Sequence, residues 1–201
     1  MKRTMMLATT LLLALTLATP GMAEAKQTGK TRFAKQGTWT VAGDLYFNYN
    51  SMSPDKGSGD VSDNEFKLAP MLGWFVMNGL ELRLGPTLMF GSHDVGDAST
   101  DRSQYGAKLG AKYYFPLGGT LFLNAGAAFG YGTGSEGDTD TSGLDIDLGA
   151  GLTLVFGSKF GGFASLDAIY TYQTRTYSMG GGDADYTGNN FGIGTTFGVF
   201  F

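Results

Sequence analysis

Few residues in this chain have side chains suited to chemistry, and they are scattered. Its single histidine, His93, stands in the run Ser92-His93-Asp94, which sets the three residue types of a hydrolytic triad side by side. A triad is defined by three side chains converging on one point rather than by adjacency, and the polar stretch 92–101 reads as a loop. Asp138-Thr139-Asp140-Thr141-Ser142-Gly143 begins like a calcium loop. Its twelfth position is Gly149 where a bidentate Glu is needed, and strand-like sequence flanks it instead of helices. With Cys 0 and His 1 there is no thiolate nucleophile, no disulfide and no multi-His metal centre. No phosphate loop, cofactor fingerprint or basic nucleic-acid patch occurs. These residues predict no enzyme, no cofactor, no metal site and no nucleic-acid partner.

The ionisable residues that do show order recur at alternate positions. Asp44, Glu65, Lys67, Glu81, Arg83, Lys108, Lys112, Asp145, Asp147, Asp167 and Arg175 each sit in phase with glycines, alanines and threonines, and out of phase with large apolar groups. Period two over ten or more residues is a strand signal. Eight such stretches follow: about Thr38–Asn50, Asp63–Val76, Leu80–Gly91, Arg102–Phe115, Thr120–Gly132, Gly143–Phe156, Phe163–Tyr177 and Asn189–Phe201. Short turns join them at one end, namely Met77-Asn78-Gly79, Pro116 to Gly119, and Gly157 to Gly161; Asn-Gly is a strong hairpin signal. Polar runs of 51–62, 92–101, 133–142 and 178–187 join them at the other.

Residues 1–25 read as a secretory signal. Lys2 and Arg3 precede the apolar run Met5–Ala18, and small residues allow cleavage after Ala23 or Ala25. The run is shorter than the roughly 20 apolar residues a membrane-spanning helix needs. An exported chain without such a helix crosses a membrane only as a closed barrel. Residues 26–36 are then a short periplasmic segment and 37–201 one barrel domain. Gly 33 and charged residues at 16%, against about 25% in ordinary soluble domains, suit many strands and tight turns.

A soluble barrel would put its apolar face inside, around a ligand. Eight strands enclose room for side chains only, and the glycine-rich face fits that space better than the bulky one. Aromatics also collect at both ends of the apolar stripes, as the two bilayer interfaces select. Trp39, Trp74, Tyr113, Phe115, Phe156 and Phe197 lie toward the short turns. Phe47, Tyr49, Phe66, Phe90, Tyr105, Tyr131, Tyr170, Tyr172 and Phe191 lie toward the long connections. The prediction is all-β: an eight-stranded antiparallel up-and-down transmembrane β-barrel after a cleaved signal peptide, with the eleven lumen charges paired as a plug.

The signal peptide, the eight amphipathic strands, the alternation of short turns with long loops, and the terminal Phe201 together resemble the small outer-membrane barrels of the OmpA transmembrane-domain and OmpX type. The resemblance is architectural and covers nearly all of the mature chain. It implies an outer-membrane location in a Gram-negative envelope, and a last strand (Phe197, Val199, Phe201) read by the barrel-assembly machinery. The cell-wall-binding domain of full OmpA has no counterpart here.

Charge outside the strands is asymmetric. The long connections hold ten acids, Asp55, Asp60, Asp94, Asp97, Asp101, Glu136, Asp138, Asp140, Asp183 and Asp185, with Lys56 the one base. The other end has Lys26, Lys30, Arg32, Lys35 and Lys159 and no acid. Acidic loops point to divalent cations shared with lipopolysaccharide phosphates, or to an extracellular partner. The leading functional expectation is a non-enzymatic surface or envelope-integrity protein. Its alternatives are a narrow ion-conducting pore and, because a few small barrels do that chemistry, a lipid A-modifying enzyme built around His93.

Overall fold

A computed structural model describes residues 31–52, 61–95, 98–179 and 182–201, with backbone alone for 48–52, 61–63, 93–95, 98, 179, 182 and 186. The signal sequence, Lys26, Lys30, Asp55, Lys56, Asp60 and Asp97 lie outside the described residues, and so do the side chains of Tyr49, His93 and Asp94. Eight strands follow one another: β1 Trp39–Met52, β2 Val61–Met77, β3 Leu80–Val95, β4 Ala98–Gly118, β5 Leu121–Glu136, β6 Thr139–Gly157, β7 Gly161–Met179 and β8 Gly182–Phe200. Each pairs antiparallel with the next, and β1 pairs with β8 to close the barrel.

The alternation of the sequence maps onto the two faces of this ring, because successive side chains of a strand point to opposite sides. On β1, Trp39, Val41 and Phe47 are exposed on the outside, while Thr40, Ala42 and Tyr46 are buried inside. On β8, Phe191, Ile193, Phe197 and Val199 face out, with Phe191 70% exposed. Gly192, Gly194 and Gly198 occupy the inner face, where a Cβ would meet Tyr46, Ile169 and Phe163.

Closure depends on a short ladder. β1 and β8 pair from Thr40↔Phe200 to Phe47↔Ile193, and no further pair between them occurs among the described residues. Phe201 lies just past β8 yet exchanges both backbone hydrogen bonds with Trp39, each 3.0 Å. The last residue therefore belongs to the seam.

Pro70 interrupts the β2–β3 ladder, which skips from Leu68↔Leu88 to Leu72↔Leu84. Proline has no N–H to donate. The register sets Pro86 opposite Pro70; next to Pro86, Gly85 has no Cβ, and one placed there would lie 1.9 Å from the Pro70 carbonyl oxygen. Asn78-Gly79 turns the chain between β2 and β3 as the dipeptide predicts, but with positive φ at Gly79 alone (+84°) and a register shift between Phe75 and Met77, where the usual Asn-Gly hairpin turn has positive φ at both residues.

The strands differ from expectation at their outer ends. The stretch 133–142 is a tight turn at Gly137-Asp138 between β5 and β6, and 92–101 is mostly paired strand. His93 accordingly sits in β3, opposite Asp63 and Thr100, and not in a loop. Beyond the apolar band both faces meet water, so these residues carry no hydrophobic alternation. The hydrogen-bonded ladder continues there without it.

Gly85→Val should force the wall apart and lower stability by about 1–3 kcal/mol, read as a lower denaturant midpoint of the detergent-folded barrel. Gly43→Ala, where nothing lies within 4 Å of the added Cβ, should leave the midpoint unchanged.

Candidate functional site

The strands deliver their polar inner faces to one lumen, and its charges are layered along the axis. Near the short turns, Glu81 of β3 is fully buried and accepts hydrogen bonds from the hydroxyls of Thr40 on β1 and Tyr114 on β4, the latter at 2.8 Å. Beside it runs a neutral chain, in which Asn124 donates to Thr153 at 2.9 Å and Thr153 lies 2.7 Å from Ser165.

Above that layer Arg83 donates to Asp44 at 2.8 Å, and its Nε lies 3.8 Å from Glu81. Thr196 also donates to Asp44, at 2.7 Å. At similar depth Lys112 and Asp167 pair at 2.8 Å. Farther out Lys108 pairs with Asp147, which also accepts from Thr171 at 2.6 Å. Lys67 lies 2.8 Å from Glu65 and 3.6 Å from Asp145, and Arg175 reaches Asp145 at 2.8 Å. All eleven charges assigned to the lumen from the sequence thus face at least one opposite charge. Between the layers lies a cavity of about 130 Å³ whose wall includes Tyr46, Lys67, Met89, Lys108, Asp145 and Thr171.

This pairing follows from the cost of burying charge. An ion removed from water without a partner costs several kcal/mol, and pairing offsets that only when further hydrogen bonds saturate the group. Six acids face five bases in this set. Arg83 serves two carboxylates, and Glu81 gains two hydroxyl donors.

Sequence reasoning missed the inner wall at the short-turn end. Phe75, Tyr114, Phe122, Val155, Phe163 and Phe200 all point inward and are buried, and Phe33 from the segment before β1 completes the cluster. Burying one Phe ring contributes about 1.5–3 kcal/mol, and edge-to-face contacts add to it. The available signal was the break in alternation at Trp74-Phe75, Tyr113-Tyr114-Phe115, Leu121-Phe122-Leu123 and Val199-Phe200-Phe201, where both faces become apolar.

Aromatics whose side chains are described lie toward both ends of the outer face. Trp39 and Trp74 stack with centroids 5.8 Å apart at the short-turn end, and Phe156 on β6 and Phe197 on β8 are exposed elsewhere on the outer face. Tyr113 and Phe115, at 4.5 Å, are half-buried at the short-turn end. Phe47, Phe66, Phe90, Tyr105, Tyr131, Tyr172 and Phe191 are exposed at the other end, where Tyr170 donates to Asn189 at 2.7 Å.

Ser92, His93 and Asp94, the triad-like run, are consecutive residues of β3 whose backbone is paired with β2 and β4, so the run is strand and not loop. Asp138 lies in a turn and Asp140 in the paired strand β6, opposite Ser135 and Ser178, so the calcium-like run is not a loop that wraps an ion. Among the described residues no three His, Asp or Glu are grouped to hold a metal.

No family model and no curated protein matches the chain. Among solved structures it is similar to the outer membrane protein OprG from Pseudomonas aeruginosa, with 14% identity, a TM-score of 0.50, and coverage of 84% of this chain and 98% of that one. The chain has the fold of a small outer-membrane β-barrel. The N-terminal barrel domain of OprF from the same organism aligns with 19% identity and a TM-score of 0.42, covering 83% of this chain and 98% of that domain. Identity this low speaks to the fold of the barrel and not to its activity.

Replacing Arg83 by Met should leave Asp44 and Glu81 facing each other without their cation, a loss of about 3–5 kcal/mol in urea unfolding from lipid vesicles. The double variant Lys112→Met/Asp167→Leu should be less destabilised than Lys112→Met alone, since it leaves no orphaned carboxylate.

Proposed function

We propose that this chain is an integral outer-membrane barrel with no enzymatic activity, a lumen closed to ions, and an acidic outer rim that meets the cell's surroundings. The observation that carries this reading is the opposition of the two faces. A belt rich in exposed Leu, Ile, Val and Phe encircles the outside, whereas the lumen charges inside are paired with one another. In β2 the belt runs from Trp74 to Phe66, which at ~3.4 Å per residue and a tilt near 40° is roughly 21 Å. That is close to the height of the apolar band of outer-membrane barrels.

In this orientation the short turns face the periplasm. Asp101, Glu136, Asp138, Asp140, Asp183 and Asp185 face outside, where Arg102 is paired with Glu136 at 2.9 Å. The rim suits divalent cations bridging to lipopolysaccharide phosphates, or a basic extracellular partner. Phe197, Val199 and Phe201, on a last strand joined to Trp39, fit recognition by the barrel-assembly machinery. The signal for export is the one read in residues 1–25.

A narrow pore is the second reading, favoured by the lumen cavity. Planar-bilayer recordings separate the two: the proposal expects no stable openings from the purified protein, and large steady conductance would replace it with the pore. His93→Ala should leave the lipid A profile of expressing cells unchanged; an altered profile would bring back the enzymatic reading.

The belt itself has an optical test, since Trp39 and Trp74 are the two tryptophans of the chain. Lipids brominated near the headgroup should quench their fluorescence more strongly than lipids brominated at mid-chain.

A further inference from the structure

One aromatic of the short-turn cluster does not belong to the sheet. Phe33 is 0% exposed, and its ring centroid lies 5.0–5.5 Å from those of Phe75, Tyr114, Phe122, Phe163 and Phe200. Those five rings come from β2, β4, β5, β7 and β8, so they line the mouth on several sides. Four of the contacts are edge-on or nearly so, the favoured arrangement for ring pairs. The five wall residues are fixed in strand ladders. Phe33 is carried on chain that precedes β1 and enters no ladder.

The backbone around Phe33 is held by turns of the barrel. Arg32 N–H donates to the Ser158 carbonyl at 2.7 Å, Gly79 N–H to the Ala34 carbonyl at 2.8 Å, and Gln36 N–H to Asn78 Oδ1 at 3.0 Å. Ala34 has φ 60°, the one non-glycine with positive φ among the described residues. An alanine kept in that region marks a conformation imposed by its surroundings. Here the surroundings are the socket and the turns.

We propose that the short-turn mouth is a binding site for an aromatic side chain carried on a tightly turned peptide, and that Phe33 fills it in cis, its own turns closed by Lys35 N–H to the Arg32 carbonyl and Thr38 N–H to the Lys35 carbonyl. Gly37 and Thr38 anchor the segment to Phe75 of β2 by backbone hydrogen bonds, whereas residues 32–36 are held only by turn contacts; breaking those contacts lets Phe33 exchange between docked and released positions without opening the barrel. Release bares an apolar aromatic socket directly beneath the layer that holds Glu81. A second peptide of the same chemistry, one ring flanked by small and basic residues, fits the socket once Phe33 is gone. This inference holds whether or not the lumen conducts.

The absence of cysteine makes a single introduced thiol a clean reporter in the full chain, folded in detergent micelles. Ala34→Cys places it at a position 1% exposed, and Gln36→Cys at an exposed one. A bulky water-soluble maleimide should modify Ala34→Cys at least ~10-fold more slowly than Gln36→Cys, as for a site reached only through local opening. Adding Phe33→Ala should bring the two rates within about twofold. A labelled peptide spanning residues 31–37 should bind the Phe33→Ala protein and not the wild type, and the same peptide with Ala in place of Phe should not bind. Heat-modifiable gel migration verifies folding of each variant; Phe33→Leu, read the same way, replaces Phe33→Ala if that variant does not fold. Equal labelling of the two cysteines with Phe33 in place overturns the proposal. So does slow labelling that persists after Phe33→Ala, or failure of the peptide to bind.

Discussion

A backbone N–H or carbonyl left unpaired in hydrocarbon costs several kcal/mol, and the protein is organised around avoiding that cost. A sheet with free edges cannot meet the constraint, so β1 must find β8. The closing ladder runs over only eight pairs, from Thr40↔Phe200 to Phe47↔Ile193, and the mutual bonds of Trp39 and Phe201 extend it at the bottom. The final aromatic thus does two jobs, completing the hydrogen bonding of the ring and lying exposed in the aromatic belt.

Closing eight strands leaves an interior too narrow for bulk water and too polar to be dry by default. The chain resolves this with two kinds of filling. At mid-height, long charged side chains reach across the axis and neutralise one another, as in the Arg83–Asp44 and Lys112–Asp167 pairs. Glycines at Gly126 and Gly151 make room for them: a Cβ at Gly151 would lie 2.5 Å from Asp167 Oδ1, and one at Gly126 3.3 Å from Lys112 Cβ. At the short-turn end the filling changes to aromatic rings, which need no partners of opposite charge. The boundary between these regimes is Glu81, whose carboxylate is held by hydroxyls from Thr40 and Tyr114 and by the shared Arg83.

The strand pattern was legible because a wall between lipid and lumen imposes opposite demands on successive residues. That is why the inward charges and the outward aromatics could be named from spacing alone. Legibility failed where those demands stop. Above the outer aromatics both faces meet water, so Ser92-His93-Asp94 and Asp138 to Ser142 looked like loops although the ladder runs through much of them. At the short-turn end both faces are apolar, so Phe75, Tyr114, Phe122 and Phe200 blurred the period and drew no attention as an inner cluster.

By itself, then, the sequence determined the class of fold, the number of strands and the face on which each charge lies, since these follow from local alternation and turn chemistry. Tertiary structure alone decided which charges meet and that Phe33 turns back into the barrel mouth. Strand tilt and register select those partners, and contacts such as Lys112–Asp167 and Phe33–Phe163 join residues distant in the chain. No local rule specifies such meetings.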